Sequence, residues 1–326
     1  MLRCTVLDML RIKLYIFFFI RFANGIAMEL LFLRLASLLA VGLVYMLFDV
    51  FNNRNVPSLF AYAALGYGLV LTLLYLNVRT IAISLAVSAA VLGLGYVVYR
   101  MGQVGAGDIL EFAALSLILP IQPAPLISGA PGALTVMPQL GIPFIVSLFI
   151  GTGVVALVAV PLYYIPKARR MSRKPISSMV DRKDIAKAFF VGLAWLMFAA
   201  FLILVVGASA YGIVLLALIM LGSVAVIVYE KPITDSMVDM VDVSGFEEGD
   251  IVAFNLMTQR RISSVKKRVR SFDRLVTGRM LDEMRRKRVR ERFPVYKRAI
   301  PLAVPIFFGI VISIMLGNVI LLLLPL

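Results

Sequence analysis

The chain has 326 residues and contains no histidine, and its only cysteine is Cys4. With one cysteine, a single chain forms neither a disulfide framework nor a zinc site built from four cysteines. Without histidine, it has no Ser-His-Asp triad, no Cys-His dyad and no HExxH zinc motif. If the protein is a hydrolase, carboxylates are therefore the natural candidates for its acid–base chemistry.

Charged side chains are also scarce. They make up 16% of the chain, whereas hydrophobic residues make up 61% and the mean hydropathy is +0.97. This composition excludes an ordinary soluble domain and predicts a multi-pass protein of the cell membrane. The apolar runs are about twenty residues long, which is the length of a helix that crosses a bilayer. We therefore predict an all-α membrane protein.

Eight hydrophobic spans predict about eight transmembrane helices. Residues 28–229 are the expected membrane core of about seven helices, 230–299 a small cytoplasmic α+β insertion, and 300–326 the last helix. The fourth span is short unless the glycine-rich turn before it also lies at membrane depth. The spans are Leu30–Phe48, Leu59–Leu76, Thr80–Tyr99, Ile109–Ile121, Gly141–Ile165, Ile185–Gly207, Tyr211–Tyr229 and Ile300–Leu326.

The N-terminal segment 1–27 admits several interpretations. Its apolar stretch Leu14–Ile20 is too short to span a bilayer and has charged neighbours. The segment is a ninth helix, an interfacial helix or a signal-like peptide, or translation starts at Met28. We favour a start at Met28 or a loosely held interfacial segment.

The distribution of Lys and Arg among the loops sets the expected orientation. Residues 112–166 contain no charged side chain, so the loop Pro120–Pro143 is predicted to be external. The positively charged loops are predicted to be cytoplasmic, and they contain Arg54, Arg100, Lys167–Lys187 and residues 230–299. Eight alternating spans that start outside put all four of these loops on the same side.

The loop 230–299 has an acidic first part. Glu230–Asp250 contains seven acidic residues against one lysine. The stretch SGFEEGDIVAFNLM, which starts within it, predicts a turn followed by a short strand. From Ser271, an N-cap candidate, to Arg292, the pattern predicts a basic helix.

The second part of this loop carries most of the positive charge of the chain. Residues 251–299 contain 16 Lys and Arg against four Asp and Glu. The expected partner is the layer of anionic lipid headgroups, which we expect near residues 260–298. Docking of a substrate is the alternative. Nothing else in the sequence supports a nucleic-acid partner, and none is predicted.

Two aspartates are prominent because ionisable groups at membrane depth are costly and mark candidate functional sites. Asp49 ends the first span, and Asp108 opens the fourth. In the expected orientation both lie at the cytoplasmic ends of their helices, so they can meet although 59 residues separate them. An aspartate at a helix end also commonly caps the helix, which is the alternative explanation for each one alone.

A pair of aspartates supplies a complete acid–base apparatus. Two carboxyls at close range cannot both ionise cheaply, so they share a proton. One then acts as general base on a water while the other acts as general acid on a peptide carbonyl. Gly105 and Gly107 remove side-chain bulk beside Asp108, which permits unusual backbone angles and the close approach of an extended peptide. The predicted catalytic pair is Asp49 and Asp108, without a metal or a cofactor.

Glu111 lies three residues after Asp108 on the same face of the helix. It is a candidate for a group that acts behind the aspartates, for a proton carrier, or for a partner of Arg100. Pairing with Arg100 is the interpretation that we prefer. Arg54 is expected to pair with Asp49 or to anchor its helix at the interface, and anchoring is the commoner role.

These residues carry a family resemblance. DVFNNRNVPS at 49–58 resembles the aspartate-containing segment of type IV prepilin peptidases, and GAGD at 105–108 is similar to their second motif, GxGD. The last span, RAIPLAVPIFFGIVISIMLGNVILLLLPL, is similar to the last helix of archaeal preflagellin peptidases. A helix earlier in the same proteins resembles VMPQLGIPFIVSLFIGTGVVALVAVPLYYI. The likeness covers most of the chain from Met28 onward.

The resemblance implies a GxGD-type intramembrane aspartic peptidase. Such enzymes remove the short basic leader from archaellin or type IV pilin-like precursors at the cytoplasmic face, and their catalytic pair corresponds to Asp49 and Asp108. The family core has about six helices, so Ile185–Tyr229 would be an inserted pair. The single cysteine argues against the cysteine-rich domain of bifunctional members. We therefore expect peptidase activity without methyltransferase activity.

Two other classes of function remain open. A secondary transporter would use Asp49 and Asp108 as proton or cation relays, although the acids lie at helix ends and no inverted repeat is visible. A scaffold for a secretion or filament machine would use the loop 230–299 as a docking surface. Removal of that loop, but not Asp→Asn substitution, would then abolish function.

Overall fold

The computed structural model describes most of the chain and is mostly helical. The described residues are 6–52, 56–75, 77–101, 104–123, 126, 143–172, 180–207, 209–297 and 302–317, with side chains from Glu29 onward except at 171, 172 and 211. Arg54, most of the predicted external loop and the end of the last predicted span lie outside these residues.

Eleven helices and two short strands follow one another along these residues. The helices are α1 (Val6–Phe51), α2 (Ser58–Leu73), α3 (Val78–Arg100), α4 (Ala106–Ile118), α5 (Phe144–Ser172), α6 (Arg182–Phe201, continued by the π-helical turn Leu202–Val206), α7 (Ala210–Val228), α8 (Glu230–Met237), α9 (Gln259–Arg268), α10 (Gly278–Arg286) and α11 (Ala303–Leu316), and the strands are β1 (Asp239–Val241) and β2 (Phe293–Val295).

Four of the described helical segments are long and apolar enough to cross a membrane: Glu29–Phe51, Val78–Arg100, Phe144–Arg170 and Arg182–Val206. The pair α7 and α8, bent by 70°, is a fifth if counted as one span. The prediction of eight spans is therefore not confirmed. The second and last predicted spans appear as shorter apolar helices, α2 and α11. The fourth appears as α4, whose 13 residues rise only about 20 Å.

The N-terminal segment is not separated from the first span in the described residues. Helix α1 runs without a break through position 27 and contains 46 residues. The part of it that is apolar enough to cross a membrane begins at Glu29.

Helix α4 is the centre of the helical bundle. It packs against α1, α2, α3 and α5, and α11 packs against α5 and α1. Every residue of α4 from Glu111 to Ile118 is buried, as expected for a helix that is enclosed on all sides. Its apolar side chains join those of α1, α5 and α11 in the main core, which includes Leu38, Leu115, Leu148 and Ile310.

Arg34 of α1 fixes one end of this bundle. Its guanidinium donates hydrogen bonds to the carbonyl oxygen of Ile118, at 2.8 Å, and to that of Leu71. It also lies over the ring of Tyr75, 3.8 Å from the centroid. A cation is favourable at the carboxyl end of a helix, and here one buried arginine serves the ends of both α2 and α4.

Glycines allow the closest contacts between these helices. A Cβ at Gly68 of α2 would lie 2.9 Å from the carbonyl oxygen of Ala114, and one at Gly309 of α11 would lie 2.7 Å from the backbone nitrogen of Thr152. Small residues at such crossings let helix backbones approach each other. They fix how α2 lies on α4 and how α11 lies on α5.

Residues 239–295 form a small α+β unit. β1 and β2 pair antiparallel, with Asp239 opposite Val295. The unit has its own apolar core, separate from that of the bundle, which includes Val252, Val269, Met280, Met284 and Phe293. The strand predicted in SGFEEGDIVAFNLM is reduced to isolated bridges of Ile251 and Val252, because a 3-10 turn follows at Phe254–Leu256.

The basic helix of this unit does not begin at Ser271. It begins at Gly278, and the side chain of Thr277 accepts the capping hydrogen bond from the Met280 N–H. The stretch between is not helical, because its backbone pairs with another segment: the Val252 N–H donates to the carbonyl of Arg274, and the Val276 N–H donates to that of Asp250. Ser271 and the Arg270 N–H instead donate to the carboxylate of Glu283, which lowers the pKa of Glu283 to about 2.

Substitution of Gly68 by alanine should destabilise the bundle, because the new methyl group meets the backbone of α4. Overpacking of this kind costs about 1–3 kcal/mol. Gly66, two residues away on the same helix, has open space beside it, so Gly66→Ala is the matched control and should not lower the melting temperature. Circular-dichroism melting of both variants in detergent tests this, and equal melting temperatures would contradict the contact.

Candidate active site

Asp49 lies in the last turn of α1, at the end of the bundle opposite Arg34. It is buried, with 7% of its surface exposed. Its Oδ2 accepts a hydrogen bond of 3.0 Å from the Ala303 N–H, the first amide of α11. The carboxylate therefore caps the start of the last described helix, where unpaired N–H groups need acceptors.

Asp108 has the corresponding position on α4. It lies in the first turn, and its Oδ2 accepts a hydrogen bond of 3.1 Å from the N–H of Gly105, the N-cap residue. A carboxylate is favoured in the first turn of a helix because the helix dipole is positive there. Asp108 thus lies at the amino end of its own helix, whereas Asp49 lies at the carboxyl end of α1 and caps the amino end of α11.

The two acids belong to one site. α1 packs against α4, and Asp49 lies within electrostatic range of Asp108. Both act electrostatically on Glu111, one turn further along α4. An apolar cluster that includes Tyr45, Ala114 and Ala303 lies next to them. The structure therefore brings carboxylates from two distant parts of the sequence to the same end of the bundle.

The glycines before Asp108 do not have unusual backbone angles, and that part of the prediction is wrong. Gly105 has φ −72° and ψ 151°, which any residue adopts. Its importance is spatial, because a Cβ there would lie 2.9 Å from Oδ2 of Asp108. Gly107 is less constrained, since a Cβ there would make an ordinary contact of 3.7 Å with Val56.

Glu111 does not pair with Arg100, so the preferred interpretation of this residue is also wrong. Its side chain has no exposed surface, and neither carboxylate oxygen has a hydrogen-bond partner among the described residues. Arg100 is exposed at the end of α3. Because α4 turns Glu111 inward, between the packed helices, the charge on the surface of α3 is out of its reach.

Two further residues of the bundle, Tyr45 and Arg34, were not predicted from the sequence. Tyr45 lies one turn before Asp49 on α1, is fully buried and interacts electrostatically with Glu111 and Asp108. Its spacing of four residues from Asp49 places it on the same face of the helix and could have revealed it. Arg34 is the one basic residue within the first predicted span, and a charge inside an apolar run is itself a signal.

The acids do not form a metal site within the part of the chain that is described. No group of three or more Asp, Glu, His or Cys side chains there is arranged to hold an ion. The site instead contains carboxylates that interact electrostatically and lie beside a turn of small residues. Such carboxylates can accept and donate protons.

Comparison with known proteins identifies no relative: no protein-family model, curated protein or solved structure matches the chain.

Alanine at Gly105 should displace the carboxylate of Asp108 and cost about 1–2 kcal/mol of stability, because a charged hydrogen bond at the helix start is lost. Gly107→Ala is the matched control and should be close to wild type. The measurement is a double-mutant cycle, in which Gly105→Ala is made with and without Asp108→Ala and melting is followed. If the cost is the same in both backgrounds, the clash does not act through Asp108.

Proposed function

We propose that the protein is a membrane aspartic endopeptidase that uses Asp49 and Asp108 as a catalytic dyad. The observation that carries this proposal is the electrostatic coupling of the two acids at the meeting of α1, α4 and α11. A chain without histidine and with one cysteine has few other side chains for hydrolysis. Coupled carboxyls share a proton, and that state is the resting form of an aspartic peptidase.

The proposed reaction needs only a water and the two carboxyls. The ionised aspartate takes a proton from the water, whose oxygen attacks the carbonyl carbon of the peptide. The protonated aspartate gives its proton to the carbonyl oxygen, which forms a tetrahedral diol. When the C–N bond breaks, the leaving nitrogen takes the proton that came from the water. The diol returns the other proton to the dyad, so one proton is again shared.

The proposed substrates follow from the resemblance to prepilin and preflagellin peptidases. They are precursors of archaellin or type IV pilins, with a short basic leader followed by an apolar helix. We propose that the acids face the cytoplasm in a multi-pass arrangement of about eight spans. Carboxylates at this face would attract the basic leader, and the bundle would accept the apolar helix.

Asparagine at position 49 or 108 should abolish cleavage while the fold persists. Asparagine caps a helix about as well as aspartate, so the capping role survives, whereas the acid–base role does not. We expect each single substitution to reduce the rate of leader removal by about a thousandfold or more. Cleavage of a co-expressed pilin-like precursor, followed by gel mobility, is the measurement.

A control separates capping from catalysis. Asp181 caps α6, where its side chain accepts a hydrogen bond from the Lys183 N–H at 3.1 Å, and it is not part of the site. Asp181→Asn should leave cleavage unchanged. Retained cleavage in Asp49→Asn or Asp108→Asn would refute the dyad.

We further propose that the small α+β unit lies on anionic lipid headgroups. Arg260 and Lys267 of α9 and Arg279 and Arg286 of α10 are exposed and have no acidic partner among the described residues. The unit is connected at both ends to apolar helices, α7 and α11, so it stays close to the membrane. Basic groups beside an anionic leaflet each contribute about 1 kcal/mol. A basic leader would be repelled by the same surface.

Removal of two of these charges should weaken the contact with lipid. In nanodiscs with anionic lipid, the amides of α9 should exchange hydrogen more slowly than in zwitterionic nanodiscs. Arg260→Gln with Lys267→Gln should remove up to about thirtyfold of this protection, which corresponds to about 2 kcal/mol. Arg292→Gln is the control, because Arg292 is paired with Asp242 at 3.1 Å. Equal loss in both variants would contradict the assignment.

A further inference from the structure

Glu111 and Tyr45 are two buried polar residues that the dyad mechanism does not use. Both side chains have no exposed surface. The two carboxylate oxygens of Glu111 and the hydroxyl of Tyr45 have no hydrogen-bond partner among the described residues. An ionised carboxylate in this position would lack both water and a donor, which costs several kcal/mol. The site therefore accommodates the neutral, protonated acid.

The charged and titratable neighbours of Glu111 come from two helices. Asp108, on its own helix, and Asp49, on α1, act on it electrostatically, and Tyr45 of α1 interacts with it as well. The packed helices α2 and α11 contain no charged residue. Among the described ion pairs, none joins Glu111 to Arg100 of α3. Carboxyl groups are thus the dominant electrostatic influence on this acid.

We propose that Glu111 is a third acid of the site, which stores a proton beside Asp49 and Asp108 and releases it to the pair when both aspartates are ionised. This proposal deepens the proposed function, because it assigns the protonation of the dyad to a residue that does not touch the substrate. Glu111 therefore acts through the dyad, for which it holds a proton, and it does not contact the substrate. The transfer is balanced, since the proton that leaves Glu111 is taken up by a carboxylate of the dyad and Glu111 becomes the anion.

The electrostatic coupling between Glu111 and the dyad shifts the pH range of the singly protonated dyad in one direction. When Glu111 is ionised, its negative charge makes the remaining proton of the dyad harder to remove. The singly protonated, active dyad therefore persists to higher pH with Glu111 than with a neutral glutamine in its place. If Glu111 never exchanges its proton, glutamine is equivalent to it and the two proteins behave alike.

Infrared spectroscopy tests the storage of a proton without any assay of cleavage. At neutral pH the full-length protein in nanodiscs should show the carbonyl stretch of a neutral glutamic acid, which is the band that shifts when glutamate side chains are labelled with carbon-13, whereas the band of the proton shared by the aspartates does not shift. The band should disappear in Glu111→Gln and remain in Glu29→Gln, which removes an exposed glutamate. Glutamate labelled with carbon-13 at its side-chain carboxyl should shift the same band in the wild type, so the assignment does not depend on folding of the variant. A spectrum without this band, or a band retained in Glu111→Gln, overturns the proposal.

The same titration tests the coupling to the dyad. In Asp49→Asn and in Asp108→Asn, a neighbouring negative charge is lost, so the Glu111 band should disappear at a lower pH than in the wild type. An unchanged midpoint in both variants overturns the coupling. These results do not require that the protein cleaves anything, so they stand if the peptidase proposal fails.

If the protein cleaves a precursor, the pH profile of kcat/KM provides a second test of the coupling between Glu111 and the dyad. Glu111→Gln should shift the alkaline limb to lower pH by about one unit, as is typical of interacting acids, and should leave the acidic limb unchanged. Superimposable profiles for wild type and Glu111→Gln, or a uniform loss of rate with neither limb moved, overturn the proposal.

Discussion

The structure depends on how the two ends of α4 are satisfied inside an apolar bundle. This helix is too short to reach both edges of a bilayer, so its terminal N–H and carbonyl groups need partners from the protein. Arg34 donates to a carbonyl at its carboxyl end, and Asp108 accepts from the amide at its amino end. Because Arg34 belongs to α1, that helix fixes α4 at one end and contributes Asp49 at the other.

The same constraint explains how the two residues that we propose for catalysis also stabilise the fold. Each aspartate accepts a hydrogen bond at a helix start, Asp108 at that of α4 and Asp49 at that of α11, where an acceptor is needed and a negative charge is favoured. A carboxylate is consequently stable where a peptidase would use it, and the small turn before α4 leaves room beside it. An acid that already stabilises a helix end requires little further change to become half of a dyad.

Features with a strong local signal could be predicted from the sequence. The predictions failed for features that depend on which side chains are buried. Asp49 and Asp108 were found because an acid beside an apolar run is conspicuous, and the helical character was evident from the long apolar stretches. The burial of Glu111 depends on which helices surround α4, which spacing along one helix does not contain. Ser271 has good capping chemistry, yet the backbone that follows it pairs with Asp250 and Val252, so the helix begins after Thr277 instead. The number of spans is not confirmed, because α2 and α4 have 16 and 13 residues, fewer than the roughly twenty of a bilayer-crossing helix, and hydropathy alone does not show where a helix ends.

The continuity of α1 has a mechanical consequence. One rigid rod carries both Arg34 and Asp49, so any sliding of this rod would break contacts at the two faces of the bundle together. α11 packs against α1 and also crosses α5 closely at Gly309 and Thr152, and its first amide donates to Asp49. A shift of α1 along its axis would therefore move the start of α11 as well, so both ends of α4 and the start of α11 are mechanically linked through one rod.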